Sequence, residues 1–286
     1  MNKAVSFLLK KTIGLYINTL SYIRPEKAAR LAYKFFSEPR DGRLLQDQLP
    51  EVLKEADAEM ITHNDLIFQT YTWQGNANKI LLVHGWESNT SRWEELLKYL
   101  KRSGSTIIAI DAPAHGLSSG TEFNIPRYAE FINIVVNKIE PQALIGHSLG
   151  GATALYFQSH YPNNFIKKMV ILGAPCDLST IVTNYKNMLS LNNRVFSLME
   201  KHFLSHFKIK MRDFSGSLFA SRIKAKGLLA HDINDEIVAF KEGEKIAEAW
   251  PEAEFIVTKG LGHSLHDDKL YRRIYSFLTG REFQPL

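Results

Sequence analysis

Short runs of apolar, largely β-branched residues recur along the chain at 79–83, 105–110, 143–145, 168–172, 227–230 and 254–258. Between them, apolar residues return at helical spacing over 92–100, 128–139, 151–160, 237–250 and 265–278. Strands apolar on both faces, alternating with helices, predict an α/β fold with a mostly parallel sheet covered on both sides. Upstream, residues 58–73 alternate as one or two strands, joined to the next through the turn Gly75-Asn76-Ala77-Asn78. Residues 4–36 read as two amphipathic helices, with Pro25 in the first turn of the second.

The strand starts at 79, 105, 143, 168, 227 and 254 are separated by 26, 38, 25, 59 and 27 residues. A crossover in this chain takes 25–27 residues, so the gap of 59 holds roughly 30 more than a helix and two loops require. The surplus is rich in Phe and Met and reads as a helical cap inserted at about 177–222. The expected organisation is therefore N-terminal helices packed on the body over 1–50, and an α/β domain over 51–286 that carries the cap.

Length and composition fit this picture. A chain of 286 residues, 45% hydrophobic and 23% charged, has the make-up of an ordinary globular protein and not of a disordered or fibrous one. One cysteine, Cys176, excludes an intramolecular disulfide framework and permits a reducing compartment. No apolar run reaches the ~18–20 residues of a membrane span. The stretch 4–23 is broken by Lys10, Lys11 and Asn18 and lacks a small-residue cleavage site, so a signal peptide is rejected and a cytoplasmic location expected.

The net charge of +5 is unevenly spread: residues 1–43 hold nine Lys and Arg against three acids, and residues 186–226 nine against two, which leaves the remainder at −8. Two separate basic segments on an acidic body do not make the continuous basic face of a nucleic-acid binder. For the N-terminal segment two readings stay open. Ala4, Phe7, Leu8, Ile13, Leu15 and Tyr16 could dock a helix on the protein, or, beside Lys3, Lys10 and Lys11, lay it on an anionic membrane.

The strongest chemical signal is Gly146-His147-Ser148-Leu149-Gly150, followed by Gly151, between the strand 143–145 and a helix. Such a turn projects a serine from its own loop, while the glycines let backbone segments approach. A serine hydroxyl needs a base to take its proton and a third group to orient that base. In a strand–turn–helix site the chain order is serine, acid, histidine. Asp235 follows the strand 227–230 and His263 follows 254–258, both where polar groups gather at the carboxyl ends of parallel strands. Asp232 and His266, each three residues away, compete for the two roles. His84, His115 and His147 flank glycine turns and suit orienting roles, His231 could tune the acid, and His160, His202 and His206 read as surface or cap residues. Two amides are needed for an oxyanion: Leu149 N–H after the nucleophile, and Trp86 N–H in His84-Gly85-Trp86 after the strand 79–83.

Together with Asp111-Ala112-Pro113-Ala114-His115-Gly116-Leu117-Ser118 and Gly262-His263, these motifs resemble the α/β-hydrolase superfamily, in its capped esterase, lysophospholipase and C–C hydrolase branch. The resemblance covers about 55–280. It implies an eight-stranded, mostly parallel sheet and a Ser148-Asp235-His263 mechanism without cofactor or metal. Asp232 departs from the glycine usual in the acid's loop, and Ala114 from the glycine common at its position. The expected reaction is hydrolysis of an ester or thioester with an apolar acyl part, contacted by Phe196, Phe203 and Phe207 of the cap. Alternatives are C–C bond hydrolysis or perhydrolysis on the same triad, or a non-catalytic ligand-binding member of the fold.

Overall fold

The computed structural model describes residues 3–284, and the side chains of all of these except 3, 4 and 6. Eight strands run in chain order as β1 (Asp57–His63), β2 (Leu66–Trp73), β3 (Asn76–Val83), β4 (Ser105–Ile110), β5 (Ala143–His147), β6 (Lys168–Leu172), β7 (Lys226–Asp232) and β8 (Ala253–Thr258). They form one sheet in the order β1-β2-β4-β3-β5-β6-β7-β8. The β1–β2 and β2–β4 pairs are antiparallel and every later pair is parallel. The predicted strands are all present, two of them on the expected residues. The anticipated turn at 75–78 is mostly strand: Asn78 N–H bonds the Asn76 side chain, and a register shift lies between Asn76 and Lys79.

The helices are α1 (Lys3–Ile23), α2 (Pro25–Ser37), α3 (Glu51–Lys54), α4 (Glu94–Leu100), α5 (Ile125–Ile139), α6 (Leu149–His160), α7 (Leu178–Leu189), α8 (Asn193–Phe207), α9 (Gly216–Ala220), α10 (Phe240–Ala249) and α11 (Asp268–Thr279). The chain divides into two units, residues up to Glu38 with Asp177–Ser215, and Pro39–Cys176 with the chain from Gly216 onward.

The larger unit is the sheet with its covering helices. Strand side chains alternate between two buried faces. Ile80, Leu82, Ile107, Ile145, Val170 and Leu172 share a core with Trp93, Leu96, Leu97 and Leu100 around α4 and with Leu270, Tyr271 and Ile274 of α11. Their neighbours Leu81, Ile108, Leu144 and Ile171 are buried on the other face, where α6 approaches Ile171. Residues 39–50 belong to this unit and not with the N-terminal helices, because the Arg43 guanidinium bonds the carbonyls of Ser118 and Gly120. Residues 216–222, counted with the cap in the sequence, also join it, and Gly216 N–H donates to Cys176 O at 2.7 Å.

The smaller unit joins two stretches that the sequence reading kept apart. The N-terminal helices, expected on the body, share a core with the insertion: Ile17, Ala28, Ala32 and Tyr33 pack with Val182, Tyr185, Val195, Met199 and Phe203. Asn18, which looked only like an interruption of an apolar run, is the polar link. Its side chain donates to Ser190 O at 2.9 Å and accepts from Asn192 N–H at 2.8 Å, while the Tyr185 hydroxyl donates to Ala32 O at 2.8 Å. Of the residues expected on the apolar face of α1, Ile13 packs and the others described do not. Ile13, Ile17 and Leu20 pack, whereas Phe7, Leu8, Leu15 and Tyr16 are exposed; the side chains of Lys3 and Ala4 lie outside the described residues.

Gly14 marks the closest approach of α1 to α7, since a Cβ there would lie 1.7 Å from Leu189 O. Gly14→Ala gains at most about 1 kcal/mol of helix propensity and loses on the order of 1–3 kcal/mol to overpacking against an unyielding carbonyl. The expected result is a lower Tm with faster amide exchange along α1; a stabilised variant would contradict this packing.

Candidate active site

Ser148 stands between β5 and α6 with φ +54° and ψ −127°. Such a backbone costs about 1–3 kcal/mol and persists only where surroundings fix it. Here Ser148 N–H donates to Leu172 O at 2.8 Å, and Ser148 O accepts from Ala152 N–H at 3.1 Å. The turn is tight enough that a Cβ on Gly146 would lie 2.7 Å from Gly151 Cα, and one on Gly150 would lie 2.3 Å from the carbonyls of Val83 and His84. The glycines of the motif are therefore required by close approach of β5, α6 and the end of β3.

Asp235 and His263 arrive from the ends of β7 and β8. Asp235 Oδ1 accepts the amides of Ile237 and Val238, each at 2.8 Å, and Oδ2 accepts His263 Nδ1–H at 2.8 Å. With its proton on Nδ1, the imidazole turns a bare Nε2 to Ser148 Oγ at 2.9 Å, where it accepts the hydroxyl hydrogen. Burial pushes the Asp235 carboxyl up, but hydrogen bonds from His231, His263 and the two amides outweigh it and hold the group well below the usual carboxylate range. An anion that stays ionised favours an imidazolium on its partner, and a hydroxyl aimed at a free imidazole nitrogen can act as a nucleophile. Of the competing pairs, the structure joins Asp235 and His263 to Ser148; His266 instead bonds the Tyr271 hydroxyl.

Leu149 opens α6, so its amide lies at the positive end of a helix beside Ser148. The Gly85-Trp86 segment passes along the same turn, with Gly85 close enough that a Cβ would lie 2.8 Å from Ser148 Cβ and 3.3 Å from Leu149 N. His84 orients this segment. Its Nε2 accepts Ala112 N–H at 2.9 Å, which leaves the proton on Nδ1 to be donated to Gly85 O at 2.8 Å. Carbonyl and N–H point oppositely across a trans peptide, so holding Gly85 O also sets the direction of Trp86 N–H. Burial keeps the His84 ring neutral by pushing its pKa well below the ordinary value.

Three further residues support the site. His147 donates from Nε2 to the His263 carbonyl at 2.8 Å, and burial depresses its pKa strongly. His231 is buried, donates to Val238 O at 2.9 Å and lies 3.5 Å from Asp235 Oδ2, so it holds the acid's loop. Asp232, weighed above only as a rival acid, ties the two loops together. It accepts from Thr258 Oγ1 at 2.8 Å, Leu261 N–H at 2.9 Å, Gly260 N–H at 3.2 Å and Asn234 N–H at 2.9 Å. Its only clue in the sequence was its departure from the glycine that the resemblance led one to expect there.

The three cap phenylalanines lie in the helical unit's core. Phe203 is buried, with its ring edge-on to Tyr33 and Phe36 at 5.7 and 5.8 Å, and Phe196 and Phe207 lie half-buried against the same cluster.

The comparisons agree with this architecture. The profile of the alpha/beta hydrolase fold matches residues 78–221, just over half of the chain, and the chain belongs to that family. A bifunctional esterase/perhydrolase of Acinetobacter calcoaceticus is 28% identical over 103 residues, 35% of this chain and 37% of the relative. A serine hydrolase-like protein of Danio rerio is 34% identical over 116 residues, 38% of this chain and 35% of the relative. The matches thus span about a third of these curated relatives. Among solved structures, an esterase of Pyrococcus furiosus superposes with a TM-score of 0.66 at 18% identity, covering 86% of this chain and 99% of the other. Other curated relatives carry names such as monoacylglycerol lipase and esterase/lipase, at 23–25% identity over 38–65% of their own length.

Two outcomes follow. Asp235, held below the ~3.9 of an unfolded aspartate, contributes stability that is complete above about pH 4 and is lost as the pH falls through its depressed folded value. Calorimetry between about pH 5 and pH 2 should show a flatter fall in Tm for Asp235→Asn than for wild type; equal slopes would remove Asp235 from this role. Phe203→Ala should cost about 3–5 kcal/mol of stability. It should shift KM alike for short and long acyl esters, and a rise confined to long chains would assign the ring to the substrate.

Proposed function

We propose that the protein is a serine hydrolase that cleaves a carboxylic ester or thioester with an apolar acyl part. The observation that carries the reading is the unbroken chain of hydrogen bonds from Ser148 Oγ through His263 to Asp235, at 2.9 and 2.8 Å. Ser148 Oγ attacks the substrate carbonyl carbon as its proton passes to His263 Nε2. The resulting oxyanion is held by the amides of Leu149 and Trp86. The leaving alkoxide or thiolate departs with the proton from His263, and an acyl group remains on Ser148. Water then repeats the sequence, giving its proton to His263 and releasing the acid. Asp235 stays ionised and keeps the imidazole in the required tautomer throughout. Perhydrolysis, part of the name of the Acinetobacter relative, would differ only in hydrogen peroxide taking the place of that water, with a peracid as product.

Ser148→Ala and His263→Ala are each expected to lower kcat on p-nitrophenyl esters by about 10⁴–10⁶, and the double variant to be scarcely worse, because the groups act as a unit. Asp235→Asn should cost on the order of 10⁴-fold through the wrong tautomer, and Asp232→Asn less than about tenfold. Near-full activity in either alanine variant, or a larger loss at 232 than at 235, would overturn the assignment.

A further inference from the structure

The helix α1 packs on the other helices of its unit through Ile13, Ile17 and Leu20, and its opposite side carries an uncovered apolar stripe. Val5, Leu8, Leu15, Tyr16, Tyr22 and Ile23 are between 52% and 71% exposed. At 100° per residue they fall within an arc of about 120°, and at 1.5 Å per residue they extend for about 27 Å. Leu9, half exposed, borders the same arc. The stripe is interrupted only by Thr12 and Thr19, and the Thr12 hydroxyl donates back to Leu8 O at 2.9 Å, so its polar atom is spent within the helix. A continuous exposed stripe of this kind, unlike scattered surface apolar residues, marks a contact surface.

Charge decides what the surface fits. The helical unit, residues 1–38 and 177–215, holds thirteen Lys and Arg against five Asp and Glu, a surplus of eight. The rest of the chain therefore carries −3 of the total +5. Arg24, between α1 and α2, and Lys27 of α2 are exposed next to the end of the stripe, and Lys11, about 20° outside its arc, reaches over the Phe7 ring. A second copy of the chain would bring another unit of the same excess positive charge, which opposes self-association through this face. An anionic lipid surface attracts it. Among the described residues no helix is long and apolar enough to cross a membrane, so α1 would lie along such a surface and not span it.

We propose that the exposed face of α1 docks the protein on anionic lipid membranes, with its apolar stripe at the headgroup–acyl boundary and the unit's lysines and arginines on the lipid phosphates. The proposal does not depend on the hydrolase reading.

The test is co-sedimentation of the full chain with phosphatidylcholine vesicles, with and without about 30% phosphatidylglycerol. The expected result is binding to the anionic vesicles, at least about tenfold weaker binding to the neutral ones, and release at about 0.5 M salt. The double variant L8E/L15E, altered only at exposed positions, should lose binding at least about tenfold with Tm unchanged. Charge reversal at Arg24 and Lys27 should weaken it independently, which keeps the test decisive should the first variant fold poorly. Absence of binding at low salt would overturn the proposal, as would binding that neither pair of substitutions alters. So would a dimer in analytical ultracentrifugation that L8E/L15E dissociates while vesicles capture nothing, since the stripe would then be a self-association face.

Discussion

A serine at φ +54° and ψ −127° is a position that a side-chain-bearing residue occupies only when its neighbours leave no alternative. In this chain the neighbours are backbone. The Ser148 amide is tied to the end of β6, its carbonyl opens α6, and the flanking glycines let β3, β5 and α6 come closer than any side chain would allow. The backbone thus sets the hydroxyl's place before any partner arrives. From that fixed point follow the position of the Leu149 amide, the close passage of Gly85, and the place where an imidazole must be delivered.

Delivering the imidazole is harder, because His263 sits on a loop that the sheet alone does not restrain. The restraint comes from several directions. Asp232 gathers the hydroxyl of Thr258, the last residue of β8, and the amides of the loop after it onto the end of β7, the strand that leads into Asp235. His147 holds the His263 carbonyl, and Leu265, two residues on, is fully buried in the body core with φ +53°. Burial raises the Asp232 carboxyl, but the Leu261 amide, the Thr258 hydroxyl and further amides hold it below its ordinary value. Asp232 is therefore an anion by virtue of the loop that it organises. The acid and the base depend on one another through a second carboxylate that meets neither Ser148 nor the imidazole.

How much of this was legible in the sequence varied with the kind of interaction. The parallel strands showed as unbroken apolar runs because both sheet faces are covered. Ser148, Asp235 and His263 could be picked out as candidates because a serine nucleophile, its acid and its base would follow a particular chain order, and hydrogen bonds join the three. His84 and His147 were legible as residues beside glycine turns that suit orienting roles, and both hold loop backbone in the structure; the part of Asp232 was hidden, since a buried side chain that bonds backbone amides leaves no pattern in sequence, only an unusual residue. The N-terminal helices were read correctly as helices, but their shared core with the insertion was not foreseen. Amphipathic spacing reports that a face is apolar, not what covers it. On α1 the pattern also held two apolar faces, Ile13-Ile17-Leu20 packed and Leu8-Leu15-Tyr22 exposed, which no single-face reading separates. Phe203 illustrates the same limit: a cap phenylalanine suits a substrate pocket or a core equally well by composition, and contacts with Tyr33 and Phe36 place it in a core.

In the proposed reaction Ser148 carries the acyl group between the two halves of the cycle. Rapid mixing with a p-nitrophenyl ester, acid quench and peptide mass mapping tests it directly. An acyl-enzyme on Ser148 gives a burst of about one p-nitrophenol per chain, with the acyl mass confined to the peptide that contains Ser148. Steady turnover with no burst and no adduct at Ser148, or an adduct on another residue, would contradict it.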